Sequence, residues 1–522
     1  MDSKQASRSG APHDAFVLAA ILLVAAAVRI YAWSRTAVMF NDGPVFLDMA
    51  DAIGQGRFAD VLAHPYHPLY PALIAVAGLP PMSLETAAVS VSILGGLLSI
   101  AALFYFAREA FGRDVACLAA VTAAFHPWHV DFTSDVMSEG LYAGFFMLAF
   151  AALARLVVRA TLVNALVCGG AIGLAYLVRP EGVGLALVAV IVLAMQAIAN
   201  PDRRGRLLVL SGALALMASL LILPFVFSVG EQTGEWALTK KKSVTAMIGV
   251  EKARVGQRSP VFTGDASLRL PELAIRADGQ GARLPERNLG GVLESVVRVA
   301  TTSLSAVRIE LFPFLLWGAW VFRRRADSAW LGWTIALPIV LYGGVLVLLV
   351  WSEGYVSRRH ALWPWLPVFA LAAIGWREFV LRCAPERWRG ARVVALALGL
   401  LLVLGWGPRD LRARRLDRAP VRAAAEWLGV QHASSGAVAA QKLRTAHYAG
   451  AAFVPLMPGL DGNLEHYLRG REARWVIIDA DKLQDHHGLE AGIGDWLEPV
   501  HSVSAQGRRV LVLELTESRT AS

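Results

Sequence analysis

Cysteine is almost absent: Cys117, Cys168 and Cys383 are the only three in 522 residues. All three lie in or beside apolar runs and lack metal-ligand spacing. That excludes a disulfide framework and leaves them as packing residues. Charge is scarce as well, at 17% of the chain against 56% hydrophobic residues, with a mean hydropathy of +0.49. A soluble protein of this length would carry more charge and would break its apolar runs more often. No Walker loop, kinase set, dinucleotide fingerprint, serine-nucleophile elbow or HExxH sequence stands at a usable position, which argues against ATP-driven and zinc-protease chemistry. The apolar runs are continuous rather than alternating, which rules out a transmembrane barrel.

What the chain does have is repeated apolar runs long enough to cross lipid, which takes ~20 residues per helix. They fall at 15–34, 84–106, 115–127, 134–154, 162–178, 182–198, 207–229, 304–322, 329–350, 361–381 and 393–407. The expectation is an α-helical polytopic membrane protein of about eleven spans, two of them short. A further run, PLYPALIAVAGLP at 68–80, is too short to span and reads as a re-entrant or interfacial helix. The polar start, residues 1–14, precedes a first run with no convincing cleavage site, so that run reads as a retained span.

The formal charge of +9 invites a nucleic-acid reading, but its distribution does not support one. Arg108, Arg113, Arg155, Arg159, Arg203, Arg204, Arg206, Arg323 to Arg325 and the arginines of 382–392 fall in loops on one side of the spans. By the positive-inside rule that side is cytoplasmic. The alternate loops, 35–83, 128–133, 179–181, 230–303 and 351–360, and the tail from 408 are then outside. The sequence therefore divides into a cytoplasmic tail at 1–14, a transmembrane domain at 15–407 and an extracytoplasmic domain at 408–522. The last reads as a small α/β domain. RAPVRAAAEWLGV and DGNLEHYLRGRE have helical patterns, and GAVAAQ, RWVIID and RRVLVLEL read as strands.

The candidate chemistry gathers in the outside loops. Asp42 follows Asn41 and precedes Gly43-Pro44 on a turn near the end of the first span, beside Phe40 and Phe46. A carboxylate in such a partly desolvated cleft suits a general base, whereas Asp48, Asp51 and Asp60 read as solvated. HPYHPLYP places His64, Tyr66, His67 and Tyr70 on a proline-stiffened turn that lines a cleft rather than binds metal. In HPWHVDFTSDVMSEGLY, Asp131, Asp135 and Glu139 are four apart and share one face if the segment is helical. Glu139 opens the next span, either as an acid facing a cavity or as a favourable charge on the helix dipole. Arg179 in YLVRPEG opposes the orientation rule, and an anionic headgroup would explain it. Arg358, Arg359 and His360 begin a span from outside, a setting suited to phosphate, with snorkelling to ordinary lipid as the alternative. Lys240 to Lys242 form a weaker basic cluster.

An acid soon after the first span, then HPLYP, SEGLY opening a later span, RPEG, and an outside RRH before WPWLP together resemble the polytopic C-type (GT-C) glycosyltransferases. The resemblance covers about residues 15–410 and is to the family 39 group in particular, which includes protein mannosyltransferases and lipid A aminoarabinose transferases. It implies transfer of a sugar from a polyprenyl-phosphate donor to a lipid, polysaccharide or protein acceptor at the outer face of the cell's inner (plasma) membrane. Asp42 occupies the position of the family's first-loop acid. Gly43 stands where a second acid is usual, which implies a single base and inversion at the anomeric carbon. Asp131 and Glu139 are candidates for the second-loop acid. Arg358, Arg359, Arg179 and His360 would take the donor phosphate. No cofactor is called for; a divalent metal is left open. The alternative is a transporter, flippase or assembly protein for envelope glycans. A transporter would place broken helices and paired charges near mid-membrane, whereas the acids and arginines here gather at outer ends.

Overall fold

The computed structural model describes residues 11–240, 288–324, 329–383, 405–432, 436–456 and 464–516. The apolar run at 393–407, apart from its last three residues, most of the loop 230–303, and Lys241 and Lys242 lie outside them. The chain divides into two compact units. The first comprises residues 1–34, 49–241 and 285–412; the second comprises 35–48, 242–284 and 413–522.

The first unit is helical. Seven of its helices are long and apolar enough to cross a membrane: His13–Ser34, Leu84–Phe111, Glu139–Val158, Pro180–Ala199, Pro201–Thr233, Ala329–Ser352 and Trp363–Arg382. Leu162–Val178 is apolar but shorter. The expected count of eleven is not reached among the described residues. The run at 115–127 forms a helix of only 13 residues, Arg113–Phe125. The run at 304–322 is not one span: Leu289–Val307 and Ile309–Arg323 meet at 80°, where Arg308 takes a φ of 73° and the i→i−4 ladder cannot continue. The run at 134–154 begins its helix only at Glu139. The short run at 68–80 forms the nine-residue helix Leu69–Ala77.

Small residues set a close helix contact. Leu84–Phe111, capped by Ser83, whose Oγ accepts from Thr86 N, lies against Glu139–Val158. A Cβ on Gly95 would stand 2.4 Å from Leu141 Cα, and one on Gly140 2.3 Å from the Ser92 carbonyl oxygen. The backbones touch there, as helices in lipid pack where side chains are missing. This contact fixes the end of the helix that carries Glu139.

The second unit is an α/β sheet domain. Five strands, β1 (Ala437–Ala440), β2 (Phe453–Pro455), β3 (Ala473–Asp479), β4 (Leu497–Ala505) and β5 (Arg508–Leu515), run in the order β2-β1-β3-β5-β4. The β2-β1-β3 part is parallel and the β3-β5-β4 part antiparallel. Successive side chains alternate between faces, so Trp475 and Ile477 enter one core with Ala424, Ala425 and Leu428 of the helix Ala419–Gln431. Val476 and Ile478 enter the other core, with Leu464 and Leu468 of the helix Leu464–Gly470. Both faces are covered, which is why the WVII of RWVIID is continuously apolar. The segment after the first span joins this unit. Ala37 N donates to Arg414 O at 3.0 Å and Arg414 N to Arg35 O at 2.9 Å. Met39 N donates to Tyr448 Oη at 2.8 Å, and Arg444 Nη1 to Met39 O at 3.1 Å.

Candidate active site

In the first unit, Glu139 sits at the first turn of its helix and is only 2% exposed. An uncompensated carboxylate there would cost several kcal/mol, and the fold brings guanidinium groups to it. Arg179, the residue after the helix Leu162–Val178, donates from Nη1 to Glu139 Oε1 at 2.7 Å and from Nη2 to Glu181 Oε1 at 2.8 Å. Arg359 Nη1 approaches the same Glu139 oxygen at 3.6 Å. The Pro180–Val183 turn closes tightly enough that a Cβ on Gly182 would stand 2.4 Å from Tyr176 N. Tyr342 Oη donates to the Glu181 carbonyl at 2.7 Å, and the Arg179 guanidinium lies 5.8 Å from the Tyr142 ring centre. The result is two carboxylates and two guanidinium groups in a largely desolvated cluster at the ends of apolar helices.

Several expectations change here. Arg179 needs no headgroup to explain its position, since Glu139 and Glu181 hold its charge and its side chain is 7% exposed. Arg358 and Arg359 make different contacts: Arg359 reaches Glu139, and Arg358 does not share that partner among the contacts described. Arg358 Nε donates to Ser305 Oγ at 2.8 Å, and its guanidinium lies 4.5 Å from the centre of the Trp128 ring, over which Arg409 also lies at 4.3 Å. Trp128 Nε1 in turn donates to Ser305 O at 3.0 Å. Asp131 acts on this second group: its charge counters the downward pull that burial and the neighbouring Arg308 exert on the Arg409 guanidinium. Asp131, Asp135 and Glu139 share no helix face, because the helix Pro127–Thr133 stops before Asp135. Asp135 is buried and accepts from Val136 N at 2.7 Å.

His67 and Tyr70 are core residues rather than walls of an open cleft, at 1% and 0% exposure. Tyr70 Oη donates to Ala88 O at 3.0 Å and lies 2.8 Å from Ser92 Oγ. It stands within electrostatic reach of Asp135 and Glu139. His67 packs on Tyr176 and Phe225. His64 and Tyr66 stack on each other at 5.3 Å and are half-buried. His360 Nδ1 lies 3.2 Å from Ser357 Oγ. Asp48, Asp51 and Asp60 are exposed. Lys240 Nζ donates to Leu62 O at 2.5 Å.

In the second unit, Asp42 is half-buried on the turn that opens the helix Gly43–Gly54, and its carbonyl accepts from Phe46 N at 3.4 Å. Among the described residues no group of three His, Cys, Asp or Glu side chains comes together to hold a metal.

One buried group passed unnoticed in the sequence. Arg29, within the first span and 0% exposed, donates from Nε to Thr133 Oγ1 at 2.8 Å and from Nη1 to Ala25 O and Ala124 O. Its Nη2 lies 2.7 Å from His129 Nδ1, and His129 Nε2 lies 2.8 Å from Ser99 Oγ. A lone arginine inside an apolar run was the signal, since such charges are costly unless they face partners.

The described structure is thus a multi-span helical unit with an acid–arginine cluster at its helix ends, and a small sheet unit. Residues 63–228 match the family model of dolichyl-phosphate-mannose-protein mannosyltransferase. ArnT from Cupriavidus metallidurans in the apo state is similar over 97% of this chain and 98% of its own, at 14% identity and a TM-score of 0.56. The same protein bound to undecaprenyl phosphate gives 96%, 98%, 13% and 0.58. The Archaeoglobus fulgidus oligosaccharyltransferase, in complex with Zn and sulfate, is similar over 89% of this chain and 68% of its own, at 15% identity and a TM-score of 0.57. No curated protein sequence matches the chain. The protein is a multi-pass membrane protein with the GT-C fold, as the resemblance read from its loops implies.

Proposed function

We propose that this protein is a membrane glycosyltransferase that moves a sugar from a polyprenyl-phosphate donor to a hydroxyl-bearing acceptor, with inversion at the anomeric carbon. The observation that supports this best is the buried Glu139–Arg179 pair with the half-buried Arg359 beside it, in a GT-C fold. The acceptor oxygen attacks the anomeric carbon while its proton passes to the Asp42 carboxylate. The bond from that carbon to the phosphate oxygen breaks, and the phosphate leaves with the electron pair. The departing lipid phosphate gains negative charge, which Arg359 stabilises. Its side chain is 19% exposed, whereas Arg179 is held by two carboxylates. Glu139 is then a positioning residue that holds Arg359 and Arg179 in place. Asp131 and Arg358 belong to the Trp128 group, and His360 supports the loop that carries Arg359. The protein sits in the inner membrane with its N-terminus cytoplasmic and residues 408–522 outside.

Asp42→Asn in membranes supplied with labelled polyprenyl-phosphate sugar is expected to lower transfer by about 10²–10⁴-fold. Transfer at the wild-type rate would remove Asp42 as the base. Surface glycans unchanged by mass after gene deletion would overturn the transferase reading itself.

A further inference from the structure

The second unit has a cavity of about 390 Å³ that the transfer chemistry does not use. It lies over the carboxyl ends of the parallel strands. Gln441 and Lys442 follow β1, Leu456 follows β2, and Ile478 and Asp479 end β3, and all five line it. The place is set by topology. From β1 the chain runs outward to β2 through the helix Leu443–Tyr448, and from β2 it returns past β1 to β3 through Leu464–Gly470. Ala446 and Ala449 pack on one face of the sheet, and Leu464 and Leu468 on the other. The two crossovers therefore part between β1 and β3, and a crevice opens at their carboxyl ends, where doubly wound sheets bind ligands.

The lining selects the ligand. Five cationic side chains, Arg418, Lys442, Arg444, Lys482 and Arg508, face one carboxylate, Asp479. Arg508 Nη1 pairs with Asp479 Oδ2 at 2.9 Å, and Asp417 lies 3.3 Å from Arg418 and 3.5 Å from Arg508. Positive charge still exceeds negative after both acids are counted. Arg444 is 6% exposed and its guanidinium is held by the Met39 carbonyl, so it is a fixed donor rather than a solvated one. Gln441, Thr445 and the buried His486 add neutral hydrogen-bonding groups, with Gln441 Nε2 3.4 Å from His486 Nε2. Val38, Val421 and Val510 supply apolar wall. A cavity of this size suits one small molecule, and converging guanidinium and ammonium donors suit an oxyanion. We infer that this cavity binds a phosphate-bearing saccharide unit, with the phosphate on the cationic side and the sugar hydroxyls on Gln441, Thr445 and His486.

The test titrates the full-length protein in detergent with glucose 6-phosphate, glucose and inorganic phosphate by calorimetry. Saturable binding of glucose 6-phosphate is expected. Lys442→Gln with Lys482→Gln should weaken it about tenfold, and 0.5 M salt should weaken it too. Arg444→Gln is a poorer probe because Arg444 also holds the backbone at Met39. A thermal melt of the lysine variant verifies that its fold is intact. Arg359→Gln should leave binding unchanged, which separates this site from the transfer site. Four results would overturn the inference: no saturable binding, binding by the lysine variant as tight as wild type, glucose or inorganic phosphate binding as tightly as glucose 6-phosphate, or loss of binding in Arg359→Gln.

Discussion

Glu139→Gln removes one charge from a cluster that has almost no water to replace it. The amide oxygen can still accept from Arg179, so the volume and one hydrogen bond survive and the change isolates the charge. Breaking a buried ion pair costs about 3–5 kcal/mol. Here Arg179 keeps Glu181, but that side chain is 35% exposed against 2% for Glu139, so its compensation is screened. The cost should fall near the lower end, about 3 kcal/mol. Glu181→Gln should cost about 1 kcal/mol or less, since Glu139 remains and the lost charge was partly solvated. Glu139→Leu combined with Arg179→Met should recover much of the loss, because a buried pair replaced by apolar groups of similar volume removes the desolvation penalty as well. Unfolding of the detergent-solubilised protein can be followed with a thiol-reactive fluorophore, because Cys168 is fully buried until the fold opens. The expected order of melting is wild type, Glu181→Gln, Glu139→Gln. If Glu139→Gln melts with Glu181→Gln, the Glu139–Arg179 pair is not desolvated as described and the reasoning fails.

Arg359→Gln should raise the apparent donor KM by about tenfold or more, while Arg358→Gln, whose guanidinium lies on Trp128 and Ser305, should change it little; equal effects in a transfer assay would restore a joint phosphate site. Gly375→Ala should destabilise by about 1–3 kcal/mol or more, because the new Cβ would stand 1.8 Å from the Phe314 carbonyl oxygen; a melt indistinguishable from wild type would refute this close approach of Trp363–Arg382 to Ile309–Arg323. Burial lowers the His447 pKa below its ordinary 6.5. The unfolded chain therefore binds a proton that the folded one refuses, and stability falls as pH drops through about 6.5, levelling off below the folded value. His447→Gln should flatten that part of a stability–pH curve, and an unchanged slope would refute the assignment.

Parts of this fold were legible because single segments carry their own signal. Runs such as 84–106 and 207–229 are apolar enough to require lipid whatever surrounds them. RWVIID and RRVLVLEL announce strands by β-branched residues between polar turns. β4 gave no such signal: Leu497–Ala505 is an edge strand with mostly exposed side chains, so no apolar alternation marks it. β2 has three residues, too few for a pattern. The break at Arg308 was hidden because apolar residues flank it on both sides, and hydropathy does not register a backbone angle.

The candidate site divides in the same way. Sequence alone put acids and arginines at the ends of apolar runs, because lipid penalises charge anywhere else. It could not say which carboxylate meets which guanidinium. Arg358 and Arg359 are neighbours in the chain, yet one rests on Trp128 and the other reaches toward Glu139. Glu139 and Arg179 are 40 residues apart and 2.7 Å apart in space. The membrane-spanning helices and the placement of charge at their ends follow from hydropathy, a property of each segment by itself. Ion pairing depends on the angle and closeness at which helices cross, and glycines such as Gly95 and Gly140 set that only once two helices meet. The pairing of Arg179 with Glu139, the hold of the sheet unit on the segment leading to Asp42, and the basic cavity over β1 and β3 were therefore decided by tertiary structure.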